Sequence, residues 1–209
     1  MAYRETDKMR QRKAEARQNI LKCTAQCVAE NGFRSARITT IASLAGVATG
    51  TIYRHFESRE ELFAEIFRLA TQREVDKVAE ALAVEGNAVQ RLNHALHHFA
   101  RRALKGPTQA WALIAEPVDP KVEEERLLYR KAYANLFEKI IQEGIADGSI
   151  PDQDARVTST CLVGAISESL VGPLSPAQTA SLPTTKTDQE ALINTIVRYC
   201  VRGLTGTRS

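Results

Sequence analysis

The sequence predicts an all-α protein in which a small N-terminal domain of short helices precedes a larger helical domain. Apolar residues recur at helical spacing along almost the whole chain, whereas the alternation that is typical of strands is scarce. Glycine and proline cluster at a few places, where they end helices. The 209 residues suffice for a small domain joined to a larger one, and we place the boundary between domains 1–60 and 61–209.

Four helices are predicted in the first part of the chain, over about residues 8–31, 40–45, 49–56 and 59–84. Gly32 and Gly46 follow the first two helices and supply the stops that glycine favours. Thr39 or Thr40 is expected to cap the N-terminus of the second helix, and Ser58 that of the fourth.

Five further helices are predicted over about residues 88–104, 109–116, 121–147, 154–171 and 188–204, which makes nine in all. The last two are rich in small and apolar residues, a composition that suits contact between two copies of the chain. We therefore predict a homodimer through helices 154–171 and 188–204. The alternative is that these helices close the core of the monomer, and their inner faces are expected to do so in either case.

The distribution of charge separates the two domains more than the net charge of +3 does. Residues 1–60 carry 11 Lys and Arg against 6 Asp and Glu, a net of +5, whereas the rest carry 17 against 19, a net of −2. A basic N-terminal domain favours a polyanionic partner. The charged N-terminus and the absence of 18 consecutive apolar residues predict neither a signal peptide nor a membrane partner, and hence a cytoplasmic protein.

Residues 38–59, ITTIASLAGVATGTIYRHFESR, carry the strongest local pattern. A helix-turn-helix needs a small residue where its helices touch, which Ala42 supplies, and a turn residue, which Gly46 supplies. Ile52 and Phe56 have the spacing of apolar residues that pin the second helix to the first. The segment therefore predicts a helix-turn-helix whose second helix enters the major groove of double-stranded DNA.

The same stretch resembles the tetracycline-repressor (TetR) family of bacterial regulators. The family pattern T-x-x-I-A-x-x-A-G-V-x-x-G-T-[LI]-Y-x-[HY]-F-x-[SN]-[KR]-[ED]-x-L is matched almost throughout from Thr39 (or Thr40) to Leu62. The rest of the chain is similar to the family only in its length and helical content. The resemblance implies an N-terminal DNA-binding domain and a helical domain for effector binding and dimerisation.

The resemblance also implies a set of DNA-contacting residues, namely Arg37, Thr39, Thr40, Ala48, Thr49, Gly50, Thr51, Tyr53, Arg54, His55 and Arg59. Thr39 and Thr40 are placed at a helix N-terminus, where hydroxyl and free N–H groups hold phosphate. Tyr53 and Arg59 match positions that contact phosphates in the family. Arg54 faces the groove, where it has guanine or a phosphate as a partner.

Some of these positions have a second interpretation. Tyr53 also suits packing between helices, and His55 suits aromatic stacking as well as it suits a phosphate. Ala48 and Gly50 offer little hydrogen bonding at the groove, so we expect direct base readout to be sparse. Operator spacing and DNA shape would then carry much of the specificity.

Residues 62–150 lie between the predicted DNA-binding and dimer surfaces, and aromatic and polar side chains concentrate there. Small-molecule pockets are mostly apolar with a few polar groups, so we predict that an unidentified small-molecule effector binds in this region. The candidate pocket residues are His98, Phe99, Trp111, Glu116 and Tyr133. Core packing is the alternative for the aromatic ones, and helix capping or solvent exposure for Glu116.

Neither a cofactor nor a metal is predicted. His94 and His98 have the i, i+4 spacing of a metal site, but no third ligand accompanies them on the helix, and a solvated face is the alternative. Four scattered cysteines are typical of small buried apolar residues in a reducing compartment. A redox sensor built on Cys23 and Cys27 is the open alternative for that pair.

Taken together, these patterns predict a homodimeric repressor that a small-molecule effector releases from a palindromic operator. An enzyme is not expected, because the chain has no G-x-S-x-G, H-E-x-x-H, P-loop or dinucleotide fingerprint. The alternative is an architectural or adapter protein that binds DNA without any effector.

Overall fold

A computed structural model of the chain describes residues 7–177 and 185–206. Within those ranges it contains nine α-helices and no strand, which confirms the predicted class and helix count. The helices are α1 (Asp7–Ser35), α2 (Ile38–Ala45), α3 (Thr49–His55), α4 (Arg59–Leu82), α5 (Ala88–Lys105), α6 (Pro107–Ile114), α7 (Pro120–Ala146), α8 (Ala155–Leu174) and α9 (Lys186–Thr205). We call α1–α3 the head and α4–α9 the body.

One apolar cluster, the head core, joins α1, α2 and α3 to the first half of α4. Ile20, Ile41 and Phe63 are among its fully buried members. Ala112 and Val122, from α6 and α7, belong to the same cluster. The head therefore packs directly on two helices of the body, and the boundary predicted after residue 60 falls in the first turn of α4.

A second cluster, the body core, is built from α4, α5, α7, α8 and α9. Leu92, Leu96, Ile141, Leu170 and Val197 are buried in it. Each such side chain contributes about 1.5–3 kcal/mol to folding relative to leaving it in water. The helical spacing of these residues is what the sequence pattern predicted, so each helix presents one apolar stripe to the interior.

Three of the predicted helix ends are confirmed. The backbone of Gly32 has φ 77° and ψ 172°, which breaks the helical path near the end of α1. Gly46 is left-handed, and its N–H donates to the carbonyls of Ala42 and Ser43. The Ser58 hydroxyl accepts the N–H of Glu61 at 3.1 Å and so caps α4.

The predicted start of α2 is wrong. Arg37 occupies the N-cap position with an extended backbone, and no side chain caps the helix. Thr39 and Thr40 lie one position or two inside the helix, where their side chains are exposed. The helix starts early because Ile38 packs on the head core and brings its backbone into the first turn.

Among the described residues, α8 alone has the length and apolar composition of a membrane span. Its most apolar 18-residue window has a mean hydropathy of 1.3, and one third of that window is buried in the protein. The buried residues, such as Leu162 and Ile166, belong to the body core. The remaining face of the helix is largely exposed.

Candidate nucleic-acid interface and ligand cavity

The seven residues of α3 are held on the head by two apolar side chains. Ile52 is 1% exposed and Phe56, which follows the last residue of the helix, is also 1% exposed. Helical geometry then turns the opposite face of α3 to solvent. The exposed residues are Ala48, Thr49, Gly50, Tyr53 and Arg54, and Thr51 and His55 are half-buried. A helix that enters the major groove needs an exposed face of this kind.

The N-terminus of α2, the helix that precedes α3 in the sequence, presents further hydrogen-bond donors. Arg37, Thr39 and Thr40 are all exposed. The first N–H groups of a helix have no partner within it, and here the side chain of the N-cap residue Arg37 supplies none. Such a terminus favours a phosphate oxygen, because the N–H groups and the helix dipole both attract negative charge.

His55 is held in a neutral form by its surroundings. Burial lowers its pKa first, and the positive charges of Lys13 and Arg17 lower it further. A neutral imidazole still donates one N–H, so His55 retains a hydrogen bond for a phosphate without adding charge. Arg17 itself pairs with Glu65 at 2.8 and 2.5 Å and lies 4.8 Å above the ring of Phe56.

Arg59 lies at the junction of head and body. Its guanidinium donates to the carbonyl of Phe33 at 3.2 Å, lies 3.5 Å from the Asp119 carboxylate and covers the ring of Phe63 at 4.3 Å. About a third of the side chain, 34%, stays exposed. Three partners inside the protein thus share the guanidinium that the sequence assigns to phosphate, and Asp119 is a partner that lies 60 residues away.

A cavity of about 290 Å³ lies inside the body, between α4, α5, α6, α7 and α8. Its apolar wall includes Phe67, Phe99 and Tyr129. Phe99 meets Tyr133 edge to face, with ring centroids 5.7 Å apart, and both line the cavity. Burial raises the pKa of the Tyr133 hydroxyl above its usual range, so the group stays protonated.

The other three candidate pocket residues lie elsewhere. Trp111 packs against the body core, and His98 on α5 is half-buried with no partner for its Nε2 atom. Glu116 is buried and accepts the backbone N–H groups of Phe33 and Arg34. The structure therefore brings Phe99 and Tyr133 together at the cavity, whereas His98, Trp111 and Glu116 are absent from its lining.

Four basic side chains, which no local sequence pattern assigns to a pocket, line part of the cavity. Arg102 is fixed by two hydrogen bonds to Glu74, at 2.7 and 2.6 Å, and Lys105 and Arg126 also line the wall. Arg130 lines both this cavity and an adjoining groove of about 710 Å³ between α7 and α8. An apolar cavity that opens beside several cationic groups suits an amphipathic anion.

The groove carries an excess of one positive charge, because the carboxylates of Glu138 and Glu168 line it beside three cations. Lys131 and Arg156 line it together with Arg130, and Val163 and Ser167 are shared with the cavity. The hydrogen-bonding side chains of Asn135 and Thr160 line the same groove. The cavity and the groove share part of their lining, so one ligand can extend from the first into the second.

The outer faces of α8 and α9 expose apolar and small residues. Tyr199 is 70% exposed and Val157 is 57% exposed. Cys161 on α8 and Ala191 on α9 are also exposed. Large exposed apolar side chains on adjacent helices are typical of a protein–protein contact.

The histidines and cysteines give little support to metal or redox chemistry. No group of three potential metal ligands comes together in ranges 7–177 and 185–206. His94 is exposed, and burial, then the charge of Arg102, lowers the pKa of His98. Burial raises the pKa of Cys27 and raises that of Cys200 to about 11, which disfavours the reactive thiolate.

Comparisons with known protein families match both parts of the chain. Residues 20–66 match the family described as bacterial regulatory proteins, tetR family. Residues 85–181 match the tetracyclin repressor-like C-terminal domain. The two matches together cover more than half of the chain.

Several characterised regulators are similar over most of their length. The fatty acid metabolism regulator protein of Bacillus subtilis is 27% identical over 191 residues, which cover 88% of this chain and 93% of that protein. The HTH-type transcriptional repressor KstR2 of Rhodococcus jostii is 28% identical over 141 residues, 66% of this chain and 69% of that protein. By name, the first relative is a regulator of fatty acid metabolism and the second is a transcriptional repressor.

Solved structures share the fold. The transcriptional regulator FadR from Bacillus subtilis, in complex with stearoyl-CoA, has a TM-score of 0.71 at 24% identity, covering 90% of this chain and 98% of that one. The fatty acid degradation regulator FadR from Bacillus halodurans has a TM-score of 0.72 at 22% identity. This match covers 90% of this chain and 96% of that one. At these identities the likeness supports the fold alone.

Proposed function

Because the chain belongs to the TetR family of bacterial transcriptional regulators, we propose that it is a homodimeric repressor that a small-molecule effector releases from a palindromic operator. The observation that carries the proposal is the exposed face of α3, pinned by Ile52 and Phe56 in a head that packs directly on a cavity-bearing body. In this proposal residues 1–60 bind DNA and residues 61–209 bind the effector and the second subunit. The protein acts in the cytoplasm, where its operator lies.

DNA docking is proposed through α3 in the major groove and the start of α2 on a phosphate. Thr49, Gly50 and Arg54 face base edges, whereas Tyr53 and His55 reach the backbone. A seven-residue helix reads few base pairs, so two heads on an inverted repeat are needed for tight binding. DNA fragments selected by the purified protein and sequenced are expected to contain such a repeat; fragments without one would contradict this arrangement.

Replacing Tyr53 by alanine should weaken binding to operator and to unrelated DNA by a similar factor. The factor is about tenfold, because a hydrogen bond to a charged group contributes roughly 1.5 kcal/mol. Arg54→Ala should instead weaken binding to the operator more than binding to unrelated DNA, because its guanidinium faces base edges. Fluorescence anisotropy at several salt concentrations measures both effects, with Arg73→Ala, an exposed position of α4, as control. Wild-type affinity of the Tyr53 variant would show that the docking is wrong.

We propose that the effector is an acyl-CoA thioester. The aromatic wall of the cavity suits an acyl chain, and Arg130, Lys131 and Arg156 suit the phosphates of the CoA group. A relative of this chain regulates fatty acid metabolism, and a similar structure was solved with stearoyl-CoA. The chemistry of the cavity and the relatives thus favour the same ligand class.

Stearoyl-CoA should raise the melting temperature of the protein and lower its affinity for the operator, while CoA alone should do neither. Arg130→Ala should weaken stearoyl-CoA binding roughly five- to tenfold, because a charge-assisted contact is lost at an exposed site. Arg73→Ala is the control of equal charge. If neither stearoyl-CoA nor other apolar or cationic compounds shift the melting temperature, an effector-independent DNA-binding protein becomes the better account.

A further inference from the structure

We infer that Glu116 is a positioning residue that transmits occupancy of the cavity to the DNA-binding head. The inference rests on the proposed function, since it assumes that the head binds an operator and that a ligand enters the cavity. It goes further by naming the contact through which ligand binding in the cavity alters operator binding by the head. Three features of the structure support it: a carboxylate clasp, an arginine that fixes it, and a row of aromatic rings.

The clasp joins the end of α6 to the end of α1. Glu116 is 6% exposed, and its two carboxylate oxygens accept the N–H groups of Phe33 at 2.8 Å and Arg34 at 3.0 Å. These N–H groups are free because the backbone leaves the helical path at Gly32. A buried carboxylate bound to two amides of another element forms a strong, directional joint.

Arg126 fixes the backbone that carries Glu116. Its guanidinium donates to the carbonyls of Ala112, Leu113 and Glu116, at 3.3, 3.1 and 2.7 Å, and it pairs with Glu123. The side chain is 7% exposed, and burial lowers its pKa. Arg126 also lines the cavity, so a ligand there contacts the group that holds the end of α6 in place.

A row of aromatic rings runs beside the clasp. The ring of Phe67 lies 6.0 Å from that of Phe33 and 6.3 Å from that of Tyr129. Arg126 lies 5.8 Å above the Phe67 ring, and both Phe67 and Tyr129 line the cavity. The residue whose N–H is held by Glu116 therefore also packs on a ring of the cavity wall.

These contacts give one route from ligand to head. Volume added between Phe67, Leu113 and Arg126 displaces the end of α6 and with it the Glu116 carboxylate. The N–H groups of Phe33 and Arg34 then lose their acceptor, and the head takes another angle on the body. Couplings of this kind change affinity by roughly 5- to 150-fold, which is sufficient to release an operator.

The test compares Glu116→Gln with Glu125→Gln, using stearoyl-CoA as the probe. Glu125 is a matched control because it is also a largely buried carboxylate, paired with Arg68 at 2.9 Å within the body. Each variant is titrated with stearoyl-CoA by calorimetry and with operator DNA in its presence and absence. We expect Glu116→Gln to bind stearoyl-CoA like the wild type but to lose the difference between its two operator affinities. Glu125→Gln should keep that difference.

A second measurement needs no ligand and so separates this inference from the choice of effector. Ala110 lines the cavity, and Ala110→Leu adds volume where a ligand would lie. We expect it to weaken operator binding at least fivefold in the wild-type background and less than twofold in Glu116→Gln. Equal losses in both backgrounds would overturn the role of Glu116, whatever stearoyl-CoA does. If stearoyl-CoA does not change operator binding by the wild-type protein, but Ala110→Leu has the expected different effects in the two backgrounds, only the proposed effector is contradicted.

Discussion

Alanine in place of Gly32 is expected to destabilise the protein more than any other glycine substitution in the head. The backbone there, at φ 77° and ψ 172°, lies in a region that is essentially restricted to glycine, and forcing another residue into it costs about 1–3 kcal/mol. A Cβ atom would also lie 2.7 and 2.8 Å from the two carboxylate oxygens of Glu116. Because Glu116 is buried between α1 and α6, it cannot move without breaking its own hydrogen bonds.

Equilibrium unfolding in guanidinium chloride, at one fixed protein concentration, measures the loss of stability of the Gly32→Ala variant. Gly50→Ala is the matched control, since Gly50 lies in α3 of the same head and a Cβ atom there meets nothing within 4 Å. The free energy of unfolding of the Gly50→Ala variant should be unchanged or slightly higher, because alanine has a higher helix propensity than glycine. A Gly32 variant as stable as the Gly50 variant would mean that the kink at the end of α1 is not strained by a side chain.

The features that the sequence predicted correctly depend on near neighbours in the chain. Gly46 ends α2 and Ser58 caps α4 because each acts on residues within one turn. The exposed face of α3 follows in the same way from the spacing of Ile52 and Phe56. The cap of α2 was mispredicted because threonine favours that position locally, whereas the packing of Ile38 decides where the helix starts.

The cavity and the clasp depend on contacts between distant segments. Glu116 and Phe33 are 83 residues apart, and no local pattern indicates that they meet. The sequence did single out Glu116 and Gly32, one as a polar residue before a proline and the other as a helix stop. What relates them is the angle at which α6 crosses α1, and that angle is set by the packing of the whole head core. Phe99 and Tyr133 were identifiable as cavity residues only by type and region.

Tyr199→Glu should convert the protein to a monomer and lower its affinity for an inverted-repeat operator by about 100- to 10,000-fold, the range by which linking two sites raises affinity. Tyr199 is 70% exposed on α9, so the monomer loses little packing when the ring is removed. In a two-fold symmetric contact through α8 and α9, each glutamate would be buried against the partner without a counter-charge. The free energy of dimerisation therefore falls, whereas the head remains folded.

Sedimentation velocity reports the mass, and anisotropy with a full operator and with a single half-site reports the binding. The variant should bind the half-site as the wild type does, because Tyr199 lies on α9 and α9 contributes no residue to the head core. His94→Glu, an exposed position on α5, introduces the same charge outside α8 and α9 and should remain dimeric. A dimeric Tyr199→Glu variant would place the interface elsewhere. A monomer that binds the full operator at wild-type affinity would instead contradict the need for two heads.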